Sequence, residues 1–96
     1  MIIYISGPMA GLPDFNRPAF FRAAEGIAAR GHQVLNPAAL PEGLTPYRYM
    51  DIHQAMLRSA DAIFLLNGRE NSPRVLAELH QARKLGLLII FQKAGA

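Results

Sequence analysis

Apolar positions along this chain recur with two different periods, and the change from one to the other marks out its elements. Ile2 to Ile5 form a short run, β-branched and aromatic, that stops at Ser6-Gly7-Pro8, the pattern of a buried strand ending in a turn. Phe20, Ala23, Ala24, Ile27 and Ala28 then follow helical spacing, which predicts a helix from Asn16, a good capping residue, to Arg30, with Gly31 as its stop. Pro18 fits there, since the first turn of a helix has no intrahelical donor to lose. His32 to Leu35 reads as a second strand closed by Asn36-Pro37, and a proline- and glycine-bearing loop extends from Pro37 to Pro46. Tyr49, Ile52, Met56 and Ala60 make the stripe of a second helix, and Ala62 to Leu66 a third strand broken by Asn67-Gly68. Ser72-Pro73 opens a third helix with Val75, Leu79 and Ala82 on one face and Gly86 at its end, and Leu87 to Phe91 is a fourth strand.

The order β-α-β-α-β-α-β, with strands apolar on both faces, requires a parallel sheet covered by helices on both sides. The expected fold is a flavodoxin-like or Rossmann-like three-layer α/β sandwich, four- or five-stranded, spanning residues 1–96 as one domain without repeat, linker or low-complexity tract. At 96 residues such a domain buries roughly two thirds of its unfolded surface, so a partner subunit would add stability.

Composition narrows the function classes. The net charge of +3 is scattered instead of clustered, and no motif for nucleic-acid binding accompanies it, so nucleic acid is an improbable partner. The absence of cysteine removes disulfides, thiolate catalysis and thiolate metal sites. The start MIIYISGPMAG lacks the features of a signal peptide, and no apolar run approaches the ~20 residues of a membrane helix, so the expectation is a cytoplasmic protein. His32, His53 and His80 share no metal-ligand spacing; neither a metal nor an organic cofactor is expected.

In open parallel sheets ligands bind beyond the carboxyl ends of the strands. Two loops there hold candidate chemistry. In Ser6 to Pro13 the glycines permit close backbone approach to a ligand, or serve an ordinary strand-to-helix turn. In Gly68 to Arg74, Ser72 either caps the third helix or helps that helix end to receive a phosphate. Glu78 lies at the border of the apolar stripe four residues after Arg74, the spacing of a surface ion pair. His53 falls within the stripe of its helix, as a satisfied core residue or a pocket residue, whereas Asp51 points to the opposite side.

These segments together resemble one family. Tyr4-Ile5-Ser6-Gly7-Pro8-Met9-Ala10-Gly11, Asn16-Arg17-Pro18-Ala19-Phe20, Gly31-His32, Asn36-Pro37-Ala38, Tyr49-Met50, Ser59-Ala60-Asp61-Ala62-Ile63 and Glu70-Asn71-Ser72 through Glu78 are similar to the nucleoside 2-deoxyribosyltransferase-like proteins, in particular a small, often phage- or prophage-encoded branch. The resemblance implies a ligand that is a nucleoside or nucleotide. It also implies an N-glycosidic-bond enzyme, either a deoxyribosyltransferase or a deoxynucleoside 5′-monophosphate N-glycosidase, in which Glu78 attacks the anomeric carbon. By the same resemblance Tyr4, Ser6, Gly7, Pro8 and Met9 line the sugar and base pocket. Asn16 and Arg17 add polar contacts, Ser72 matches the phosphate or acid position, and a homodimer is implied. The chain departs from the pattern at His53, where the superfamily usually has aspartate; at Arg74, where it has glycine; and at Arg69, where the small branch has tryptophan. Arg74 either pairs with a phosphate or blocks the pocket. The alternative to an enzyme is a binding module that sequesters a nucleotide or nucleotide-derived signal, and a plain interaction domain is the third reading.

Overall fold

The computed structural model describes residues 1–95. Strand β1 (Ile2–Ser6) leads into helix α1 (Arg17–Ala29), followed by β2 (Gln33–Leu35), α2 (Pro46–Arg58), β3 (Ala62–Leu65), α3 (Pro73–Lys84) and β4 (Leu88–Phe91). The four strands form one all-parallel sheet in the order β2-β1-β3-β4, in which Tyr4 of β1 pairs with Leu35 on one side and Ile63 on the other. Ile63 in turn pairs with Ile89 of β4. The chain thus starts in the middle of the sheet, moves outward to β2, and returns past β1 to β3. Right-handed parallel crossovers in that order send α1 to one face of the sheet and both α2 and α3 to the other.

Packing follows this division. Ile3 and Ile5 of β1 meet Phe20 and Ile27 of α1, together with Ala38, Ala62 and Leu66. On the opposite face Tyr4, Ile63 and Leu65 meet Leu57 of α2 and Val75 and Ala82 of α3. Each fully buried large side chain contributes about 1.5–3 kcal/mol of transfer free energy, so the two layers share the burden of holding the sheet. The start of the sheet is closed by Asp61, whose carboxylate accepts the Ile2 amide at 2.8 Å. That fixes the neighbouring ends of β1 and β3 and explains the aspartate of the Ser59-Ala60-Asp61 segment as architecture.

Helices α1 and α3 begin directly after Asn16 and Ser72 as the sequence implies, but the cap expected of Asn16 is not made. Thr45 caps α2 and Ser72 caps α3 through hydrogen bonds to Arg48 N and Val75 N. Asn16, in contrast, lies in the left-handed region (φ 61°) and makes no side-chain cap; its Nδ2 donates to Pro8 O at 2.9 Å instead. Asp14 and Phe15 share this left-handed conformation, at φ 50° and 51°. Three such non-glycine residues in succession are costly, so the long reach from β1 to α1 is held by tertiary contacts and not by local preference.

Candidate functional site

The period of two along β1 decides which of its side chains do what. Ile3 and Ile5 face α1, so Tyr4 and Ser6 must face α2 and α3. The period of the helix does the same on α3, where Val75, Glu78 and Ala82 form its buried side. Glu78 is only 7% exposed. The surface ion pair expected from its spacing to Arg74 is therefore corrected: the pair exists, but its carboxylate is inside the protein because the helix rests that side on the sheet. Ser6 Oγ donates to Glu78 Oε1 at 2.6 Å, Tyr4 Oη to Oε2 at 3.0 Å, and Arg74 Nη1 to Oε2 at 3.1 Å. Burying a carboxylate is tolerable only with such compensation, and bonds to a charged group are the stronger kind. Tyr4 is wholly buried, and burial, then the neighbouring Glu78 charge, pushes its phenol well above the ordinary 10.0, with Arg74 opposing. Tyr4 is thereby kept as a hydrogen-bond donor.

In front of this network lies a cleft of ≈ 780 Å³ beyond the carboxyl ends of β1 and β2, lined by the first loop, the segment 37–46 and the first two turns of α2. Its walls are mainly apolar, with Met9, Pro37, Leu40, Tyr49 and Met50 among them. Arg74 and His53 also line it. Arg74 joins the cleft to the carboxylate, since it lines the one and bonds the other, and its Nη2 donates to Gly7 O at 2.7 Å. His53 is buried, and its Nδ1 has no hydrogen-bond partner among the described residues. Burial, reinforced by the charge of Arg74 and opposed by that of Glu78, lowers its pKa below the ordinary 6.5, so the imidazole is neutral at neutral pH. Of the two readings left open for His53, the structure selects the pocket residue. Arg17 faces the same cleft and holds Glu42 at 2.6 Å and Asp14 at 3.2 Å, tying the first loop to the segment opposite.

The residues anticipated from the sequence do not all meet. Tyr4, Ser6, Arg74 and Glu78 form one network, Gly7 joins it through its carbonyl, and Met9, Arg17 and His53 line the cleft with Arg74. Pro8 and Asn16 bond each other; Asn16 faces a smaller cavity of ≈ 440 Å³ on the α1 side. Ser72 Oγ is occupied by the Val75 amide at 3.3 Å and does not line the larger cleft. Gly7 needs no ligand to explain it, because an added Cβ would lie 2.6 Å from Leu66 Cδ1. Arg69 stacks on the Phe91 ring at 4.6 Å, away from the cleft lining.

Sequence reasoning missed the wall formed by residues 37–46, which it treated only as a loop. Tyr49 holds that wall: its hydroxyl donates to Pro41 O at 2.6 Å and accepts the Leu44 amide at 3.4 Å. The Tyr49-Met50 segment was the available signal. Among the described residues no three of His, Cys, Asp or Glu gather in a way that could hold a metal ion, and no helix is long and apolar enough to cross a membrane.

Fold and cleft together define a parallel α/β domain with a pocket beyond the carboxyl ends of its strands, the side on which ligands usually lie in such sheets. Residues 1–91 match the model of the family described as "Domain of unknown function (DUF4406)", and the chain belongs to that family. Among solved structures it is similar to a 2-desoxiribosyltransferase from Leishmania mexicana, with a TM-score of 0.77 and 21% sequence identity over 94% of this chain. The chain spans 62% of that protein's length. At this identity the likeness establishes a shared fold. No curated protein matches the chain by sequence.

Proposed function

We propose that this protein cleaves or transfers the N-glycosidic bond of a deoxynucleoside or its 5′-monophosphate, with Glu78 as nucleophile. The observation that carries the reading is a buried carboxylate, held by Tyr4, Ser6 and Arg74, directly behind an apolar cleft large enough for a nucleotide. Its motifs resemble those of deoxyribosyltransferase-like enzymes, and the Leishmania protein with this fold bears that name. In the reaction, a Glu78 oxygen bonds to the anomeric carbon as the C–N bond breaks, and the electron pair leaves with the base, which takes up a proton from solvent. Water or a second base then attacks the same carbon, loses a proton, and releases the carboxylate. Ser6 and Tyr4 fix the carboxylate's orientation, and the orphaned Nδ1 of His53 is offered to a polar group of the sugar or base.

The test is incubation with each deoxynucleoside and deoxynucleoside monophosphate, with and without a second base, followed by chromatography of the free base. Release or exchange that disappears in Glu78→Ala is the expected result; no release with any of the four bases overturns the reading. A binding module is the second reading, favoured by the placement of Arg74 over Glu78. Calorimetry separates the two: tight nucleotide binding that survives Glu78→Gln, without turnover in the parent, assigns a sequestering role. A homodimer in the cytoplasm belongs to the same proposal, since Leu85, Leu88 and Phe91 leave apolar surface exposed near the β4 edge. Sedimentation velocity giving a monomer at all concentrations would remove that element.

A further inference from the structure

Glu78 is held for attack but is not open to attack. Three hydrogen bonds, one of them from a cation, occupy its two oxygens, and the cleft in front is lined by Arg74 and not by Glu78 itself. A carboxylate so engaged is a weakened nucleophile, because each donor draws on the lone pairs that must reach carbon. Its three donors are not equivalent. Tyr4 and Ser6 are fully buried parts of the central strand and cannot withdraw. The Arg74 side chain is 36% exposed, long, and mounted on the first turn of α3, where it lines the cleft while bonding Glu78 one turn further along the helix and Gly7 O at the end of β1.

We propose that Arg74 is a gate operated by anionic ligand: a phosphate carried into the cleft draws the guanidinium away from Glu78 and Gly7 and so uncovers the carboxylate only when a phosphorylated nucleotide is present. The inference rests on the reading of Glu78 as nucleophile. The exchange is favourable in kind, since the guanidinium gives up one carboxylate oxygen and one carbonyl for the paired oxygens of a phosphate dianion, the geometry its planar fork fits. A second feature points to the same ligand class. Arg17 lines this cleft too, and its partners Glu42 and Asp14 are exposed acids whose ion pairs are weak in water and yield readily to a dianion. The charged residues lining the cleft are thus Arg17, Arg74 and Glu42, beside a neutral His53. Selectivity then arises in the chemical step: an unphosphorylated nucleoside enters the cleft and leaves the gate shut.

The experiment compares base release from deoxynucleoside 5′-monophosphates and the matching deoxynucleosides in the parent, Arg74→Gln and Arg74→Lys. The parent is expected to favour the monophosphate in kcat/KM by about 100-fold, the range set by losing charge-assisted hydrogen bonds. Arg74→Gln is expected to lower monophosphate kcat/KM by about 10- to 100-fold while raising kcat on the nucleoside, so that the preference collapses. Arg74→Lys, which keeps charge without the fork, should fall between them. A merely structural guanidinium would cost both substrates equally, and that parallel loss, or a parent that prefers the nucleoside, overturns the gate alone. No turnover or binding of either substrate by any form removes the nucleophile reading with it. Should the glutamine variant unfold, the Arg74 Nε–H resonance of the parent decides: it must shift with monophosphate and stay with nucleoside, and a resonance indifferent to both overturns the gate.

Discussion

The two faces of the central strand are built from alternate residues of the same five, yet they serve opposite purposes. Toward α1, Ile3 and Ile5 enter an entirely apolar layer with Phe20 and Ile27. Toward α2 and α3, Tyr4 and Ser6 carry hydroxyls into a buried network with Glu78, with His53 and Arg74 at its cleft side. The dry face can hold the sheet rigid without specifying any chemistry. The polar face needs that rigidity, because a buried carboxylate keeps its hydrogen bonds only if the donors stay within a few tenths of an ångström. Period two therefore separates packing from chemistry at no cost in chain length.

Substitutions on each face should behave differently, and the largest difference is in activity. Glu78→Gln keeps the volume and most of the bonds of the polar face, so it should abolish base release while the melting temperature changes by only a few degrees; loss of folding together with activity would mean the carboxylate is structural. On the dry face, Phe20→Ala should cost about 3–5 kcal/mol in urea unfolding, with any remaining folded protein as active as the parent. Gly7→Ala, at the junction of the faces, should cost about 1–3 kcal/mol, because its Cβ would meet the Leu66 side chain. Tyr4→Phe removes one donor to Glu78 and should cost about 1–3 kcal/mol.

The smallest effect is a slope. His53 titrates at its ordinary 6.5 in the unfolded chain and lower in the fold. Below pH 6.5 the unfolded chain therefore binds a proton that the folded chain refuses, so this contribution is present above pH 6.5 and is lost as pH falls toward the folded value. Urea unfolding at pH 7 and pH 5 should show a smaller difference in His53→Gln than in the parent. An unchanged difference would mean that His53 is hydrated and not part of the polar face.

Much of this could be read from local sequence. The four strands and the first and third helices fall within a residue or two of where the periodicities place them, the second helix begins three residues ahead of its Tyr49 stripe, and Ser72 caps its helix as its position before Pro73 implies. Asn16 misled because capping preference assumes an extended backbone, and the chain there turns left-handed to reach Pro8. Glu78 misled because i,i+4 spacing to Arg74 is the same for a surface pair and for one laid against the sheet. The wall at 37–46 was invisible because its order depends on Tyr49 reaching back to Pro41.

What the sequence determined alone is the set of elements and their parallel arrangement, since these follow from hydrophobic periods and turn residues a few positions apart. Which residues become a site was decided only by the tertiary structure. Glu78 meets Ser6 and Tyr4 across 72 and 74 residues of chain, and only the strand order, by setting α3 against β1, brings that carboxylate and those hydroxyls within bonding distance.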